Sequence, residues 1–130
     1  MATVLTDFGE ALALAAVAPA GVDRYVGLLT ALPTDDTGAG AVEVADAAYA
    51  RGVCAAWTNI AFGAYTVRSN AVAVEFPALA APVAGIMGWA IYDAPAGGNM
   101  IAYGVLFATH DLAAGDIFRF PAGYCGFGVD

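Results

Sequence analysis

Two apolar runs, Ala84-Gly85-Ile86-Met87-Gly88-Trp89-Ala90-Ile91-Tyr92-Asp93 and Met100-Ile101-Ala102-Tyr103-Gly104-Val105-Leu106-Phe107, flank the cluster Ala94-Pro95-Ala96-Gly97-Gly98-Asn99. Runs rich in aromatic and β-branched residues on either side of such breakers read as paired strands. The pattern predicts a hairpin. Side chains alternate along a strand, so one face of the first run carries Ile86, Gly88, Ala90 and Tyr92 and the other Met87, Trp89 and Ile91. Neither face is polar, and a sheet with one wet side alternates apolar with polar, so both sides of this strand are expected to be covered by protein.

A chain of 130 residues fits one domain with a core of its own, expected over residues 1–130, with a helical N-terminal segment at 1–20 and a β-sandwich from 21 to 130. Hydrophobic residues make up 61% and charged residues 12%, against about 25% charged in ordinary domains. Part of the excess is alanine, tolerable at a surface; the rest is expected to be buried between subunits or in a larger assembly. The net charge is -8, with Arg24, Arg51, Arg68 and Arg119 as the only cations and no lysine. Scattered cations do not neutralise a phosphate backbone, so no nucleic-acid partner is expected. Acidity also disfavours an anionic membrane surface, and no apolar run has the length of about 20 residues that spans a bilayer. The Ala11–Ala20 run resembles a signal-peptide core but is preceded by Asp7 and Glu10 rather than by basic residues. Cys54 and Cys125 lack any metal or redox spacing and read as buried free thiols.

Along the chain, Asp7 followed by Glu10 three residues later reads as a capped helix start. The helix is expected to run to about Val17, to stop at Pro19, and to be covered on both sides because Ala11–Ala18 is all Ala, Leu and Val. Strands are expected at Arg24–Thr30, Tyr49–Trp57, Asn70–Pro77, the two hairpin arms, Ile117–Pro121 and Tyr124–Val129, with a short one within Ile60–Val67. Thr34–Gly40 reads as a polar loop and Thr109–Asp116 as a turn region. About eight short strands with breakers between them predict a mainly β fold: an antiparallel β-sandwich or jelly roll with one short N-terminal helix.

Chemistry is sparse. The single serine, Ser69, has no Gly-x-Ser-x-Gly surround and reads as a strand-entry residue. His110, the only histidine, reads as a solvated turn residue beside Asp111. Asp35, Asp36, Glu43 and Asp46 lack EF-hand spacing and read as solvated turn acids rather than as a cation site. A P-loop needs lysine, and Gly38-Ala39-Gly40 lacks the third glycine of a dinucleotide fingerprint. Glu75 lies in a predicted strand and reads as outward-facing, with no partner carboxylate nominated for glycoside hydrolysis. No catalytic residue, cofactor or metal ligand is expected. The large side chains read as core or interface rather than as a sugar platform, with Phe8, Leu12, Tyr25, Trp57, Trp89, Tyr92, Tyr103 and Tyr124 the candidate interface residues.

The order and spacing of several stretches carry a likeness: Tyr25–Pro33, Thr37–Gly40 with Glu43-Val44, Tyr49-Ala50-Arg51, Asn70–Pro77, Trp89–Asp93 with Gly97-Gly98-Asn99, and Ala114-Gly115-Asp116. In these the chain resembles a family of small structural proteins of tailed bacteriophages, of the capsid-decoration and tail-fibre type. The resemblance implies a β-sandwich virion component without catalytic residues. A fibre needs length, a repeat or a coiled-coil stalk, and no fixed period or heptad is read. The expectation is therefore a decoration or cement protein, a homotrimer assembled in the bacterial host cytoplasm, bound to the major capsid protein or other virion proteins and resident in the virion. A subunit that binds only the assembled shell would stabilise it by mass action. A tail-tip or fibre-base subunit and an oligomeric carbohydrate-binding module are the alternatives.

Overall fold

The computed structural model describes residues 5–63 and 65–128. It is mainly β, as expected. The elements are α1 (Asp7–Val17), β1 (Arg24–Ala31), β2 (Val42–Glu43), β3 (Gly52–Cys54), β4 (Trp57–Phe62), β5 (Tyr65–Asn70), β6 (Val74–Glu75), β7 (Val83–Tyr92), β8 (Met100–Leu112), β9 (Arg119–Phe120) and β10 (Gly126–Gly128). All pairings are antiparallel. The larger sheet runs β2-β1-β7-β8, with β3 on the same side of β1 as β2 but at its other end. A second sheet runs β10-β5-β4, and β6 pairs with β9.

The expected hairpin is β7 and β8, at the centre and edge of the larger sheet. Val26 and Leu28 of β1 face the main core together with Trp89 and Ile91 of β7, opposite them in register. Trp57 and Cys125 enter the same core from the side of the second sheet. Gly88 to Tyr92 are buried on both faces of β7: Ala90 and Tyr92 join Leu29, Tyr25 and Met100 in a smaller cluster on the outer face. An irregularity in the ladder between Ile86 and Gly88 moves Ile86 from the face that strict alternation gives it into the main core with Trp89.

Several expectations need correction. The predicted strand Tyr49–Trp57 is instead β3 followed, after Ala55-Ala56, by the start of β4, and in Asn70–Pro77 only Asn70, the end of β5, and Val74–Glu75 are strand. Ile60–Val67 straddles a hairpin turn at Gly63, whose φ of 62° is the left-handed conformation that glycine adopts freely. The region read as a turn from Thr109 continues β8 as far as Leu112, so His110 and Asp111 are strand residues.

The helix is capped by Thr6, not Asp7. Thr6 has extended backbone, and its hydroxyl accepts from the Gly9 N–H at 3.2 Å, leaving Asp7 and Glu10 in the first turn, where carboxylates favour the positive end of the helix dipole. Nor is α1 covered on both sides. Leu14 is its one buried residue, because the helix lies as an outer layer against β4 and β5 and has a single neighbour face. Its far end is held from the strands: Arg24 Nε donates to the Val17 carbonyl and Arg68 Nε to the Ala18 carbonyl, both at 2.9 Å. The last turn has no basic residue, so these two strand arginines supply the positive charge that a helix C-terminus favours.

Candidate functional site

The polar groups that could do chemistry are mostly engaged in holding the fold. Ser69 is fully buried inside β5 rather than at a strand entry, with its hydroxyl 3.2 Å from Asn70 Oδ1 and from the Cys125 carbonyl. Asn70 completes that clasp by accepting from the Cys125 N–H at 2.9 Å and donating to the Val72 and Pro121 carbonyls. His110 is exposed on β8, its ring edge-on to Phe118 at 5.6 Å. Glu75 faces outward on β6. Cys54 and Cys125 are free and buried, and burial pushes both thiols up, away from the reactive thiolate.

The strongest polar constellation lies on the outer face of the larger sheet. Arg51 meets Glu43 in a two-pronged ion pair, Nε and Nη2 each 2.9 Å from a carboxylate oxygen. Its remaining Nη1 donates to the Ala94 and Gly97 carbonyls at 2.8 Å, and the guanidinium lies 3.5 Å from the centre of the Tyr92 ring. Tyr49 donates its hydroxyl proton to Glu43 at 2.5 Å and accepts from the Leu28 N–H at 3.0 Å. Burial, reinforced by the Glu43 acceptor, pushes the Tyr49 phenol well up. With both Glu43 oxygens occupied, this cluster acts as a clamp between β2 and the β7–β8 turn.

The acidic loops are likewise self-satisfied. Asp35 accepts from the Thr37 hydroxyl and from the Thr37 and Ala39 N–H groups. Asp46 accepts from the N–H groups of Ala48, Ala80 and Ala81, each at 3.0 Å, tying two loops together. Among the described residues, no group of three or more His, Cys, Asp or Glu could hold a metal ion. A cavity of about 510 Å³ lies between α1, the Asp35–Gly38 loop, β8 and β10, floored by Leu14, Val17, Ile101 and Phe127. The titratable side chains on its described lining are Asp35, Asp36 and Tyr103, a set that lacks a nucleophile paired with a base.

The expected interface residues divide sharply. Trp57, Trp89 and Tyr92 are buried inside the chain, and the Trp57 indole N–H donates to the Cys54 carbonyl at 2.9 Å; these rings serve the core. Tyr25 is half-buried beside Tyr92. Phe8 and Leu12 on α1, Tyr103 on β8, and Tyr124 are exposed. The structure adds Val105 and Phe107, which the sequence reading passed over. On β7 only Met87 lies between Ile86, paired with His110, and Gly88, paired with Val105, while β8 has Leu106 to Thr109 in the same interval. Phe107 sits in this bulge and is completely exposed.

An unshielded edge runs beside it. Among the described residues β8 pairs with β7 alone, and Met100 to Thr109 contains neither a charged residue nor a proline. Edge strands usually carry such residues to prevent pairing with other chains. Half of this is readable in the sequence: the second hairpin arm is apolar, whereas the strands expected at Ile117–Pro121 and Tyr124–Val129 left its outer side with candidate partners. What the site offers is surface for assembly, with exposed apolar side chains on a strand whose outer backbone groups have no ladder.

No curated protein matches the chain. The family described as podophage GP4 fiber I protein gp80 matches it over residues 10–127, from within α1 to the middle of β10. With nearly the whole fold inside that match, the chain belongs to this family of tailed-phage structural proteins.

Proposed function

We propose that the protein is a non-catalytic structural subunit of the fibre apparatus of a tailed phage, resident in the virion and acting by assembly with copies of itself and with other virion proteins. The observation that carries this reading is the uncharged, apolar stretch Met100–Thr109 along the free edge of β8, with Tyr103, Val105 and Phe107 exposed. The family description favours a fibre over the decoration role expected from the sequence. Among the described residues no helix is long and apolar enough to cross a membrane.

The energetics require more than one patch. Burying Val105 and Phe107 contributes about 1.5–3 kcal/mol each, while association costs about 4–15 kcal/mol of lost freedom before side-chain ordering. A lasting attachment therefore needs a broader interface, on the order of 1,600 Å² in total. The exposed apolar residues of α1 are available for that purpose.

The reading is tested on particles with the gene deleted and on particles labelled through this chain. Label at the tail, intact filled heads and impaired adsorption are expected. Label distributed over the shell, with heads that lose their DNA, would replace the fibre role by decoration. Binding of glycans by isolated oligomers, with no label on the particle, would favour the carbohydrate-binding alternative.

A further inference from the structure

The cavity of about 510 Å³ is bordered by the free edge of β8. Consecutive residues of that strand, Met100 to Tyr103, line it, and β7 occupies only one side of them. Among the described residues no backbone hydrogen bond from outside the ladder with β7 reaches this stretch, so its outward N–H and C=O groups have no partner in the fold. An edge of this kind takes up an extended segment: main-chain hydrogen bonds supply affinity, and pockets for alternate side chains supply specificity. Here the pocket is already in place. A strand laid along β8 would point every second side chain to the face that Ile101 occupies. On that face Ile101 packs against the main core, and Leu14, Val17 and Phe127 line the cavity with it.

Given the assembling role proposed above, on which this reading rests, we propose that the edge receives an extended segment of another virion protein and that the cavity takes a lysine or arginine side chain from it. The lining has two chemical parts. Leu14, Val17, Ile101 and Phe127 are apolar, while Asp35 and Asp36 are carboxylates with no cation among the described lining. The hydrogen bonds that Asp35 accepts all fall on Oδ1. Its Oδ2 and the exposed Asp36 carboxylate thus have no donor among the described residues. A side chain with a methylene stem and a positive head matches both parts at once. An aliphatic one would leave the carboxylates uncompensated, and an acidic one would be repelled. A second copy of this chain is poorly equipped to supply that group. It has no lysine and a net charge of -8. Arg24, Arg51 and Arg68 are hydrogen-bonded within the fold, and Arg119 lies in β9, already paired along β6. The charge-complementary occupant is therefore a basic, extended stretch of a different protein.

The test uses the full chain and a short blocked peptide of alternating valine and threonine with one central arginine. Binding is expected to protect the outward amides of Met100–Tyr103 from hydrogen exchange and to weaken as salt is raised. A twin peptide with glutamate at the centre is expected to bind more than about tenfold more weakly, because both carboxylates then repel it. Asp36→Asn removes an exposed carboxylate, so it should fold as the parent does, weaken the arginine peptide by about two- to fivefold and narrow the gap between the twins. Equal binding of the twins, absent protection along β8, or a gap indifferent to Asp36→Asn would overturn the proposal. So would a self-associated chain whose outward β8 amides are protected before peptide is added, which would make a second copy the occupant. On particles, a photo-cross-linker at Tyr103 is expected to capture a lysine- or arginine-containing segment of another virion protein. Capture of this same chain on tail-labelled particles would overturn this inference alone; capture of a basic segment on shell-labelled particles would overturn only the fibre reading.

Discussion

Gly104 offers a sharp test of the central packing, because the Trp89 ring lies across the place where its side chain would be. A Cβ built there would sit 2.5–2.6 Å from Trp89 Cε2, Cζ2 and Nε1, closer than real Cβ contacts allow. Trp89 cannot easily give way: it is 6% exposed and packed in the main core, opposite Gly104 in the ladder. Overpacking a core costs about 1–3 kcal/mol, offset by about 0.4–1 kcal/mol from the stiffer unfolded chain when glycine becomes alanine. At the middle of both ranges Gly104→Ala is therefore expected to destabilise by about 1.3 kcal/mol. With an unfolding entropy of about 2.1 cal/mol/K per residue, that lowers the melting temperature by roughly 5 °C. Gly126 is the control, since its added Cβ would meet Ser69 and Arg68 only at ordinary distances of 3.6–3.8 Å. Gly126→Ala should be neutral or stabilising by up to about 1 kcal/mol. Shrinking the ring with Trp89→Phe should soften the Gly104→Ala penalty, with a coupling of about 0.5 kcal/mol or more. Thermal and urea unfolding of the four variants provide the measurement. A Gly104→Ala protein as stable as the parent, or a cycle with no coupling, would refute the account of the core.

Acid should loosen the loops. Asp46 is held below its ordinary 3.8 chiefly by the Ala80 N–H, Asp35 by the Thr37 hydroxyl, and Asp93 by the Asn99 N–H. Their folded values are depressed, so their contribution is present above 3.8 and is lost as pH falls below it through the folded values. The melting temperature should fall on the acid side of 3.8, and Asp46→Asn should make that fall shallower; an unchanged slope would count against the bridge from Asp46 to Ala80 and Ala81. Arg68→Met should leave the Ala18 carbonyl and the Asn59 side chain without their charged donor, costing about 1.5–3 kcal/mol. Hydrogen exchange should show amides in α1 opening first; uniform loosening would remove Arg68 from the role of holding the helix.

The hairpin was legible because its signals are local: apolar, β-branched and aromatic arms on either side of Pro95, Gly97 and Gly98. The first strand was equally plain, and Arg24–Thr30 differs from β1 by one residue. The short pieces β3 and β6 were not. Each is only two or three residues of ladder, and alanine-rich flanks such as Ala55-Ala56 read as strand continuation when they are connections. The helix cap was misplaced because Asp7 and Glu10 imitate the usual pairing, while the hydroxyl that caps belongs to Thr6. The assembly surface was half visible. Phe8, Leu12, Tyr103 and Tyr124 were candidates and are exposed, but Trp57, Trp89 and Tyr92 were candidates too and are interior. Side-chain type does not distinguish a ring that fills the core from one that faces out. That depends on which strand lacks a neighbour, a property of long-range pairing that no local window contains.

The two arginine bonds at the end of α1 have a consequence for conditions outside the cell. Arg24 and Arg68 grip backbone carbonyls, which have no proton to gain or lose, and a guanidinium keeps its charge at any ordinary pH. Dissolved ions weaken contacts between exposed full charges far more than a short hydrogen bond at a shielded helix end. Acid strong enough to protonate the carboxylates that hold the loops, or brine, would thus leave the helix on its mount, with Phe8 and Leu12 still facing outward.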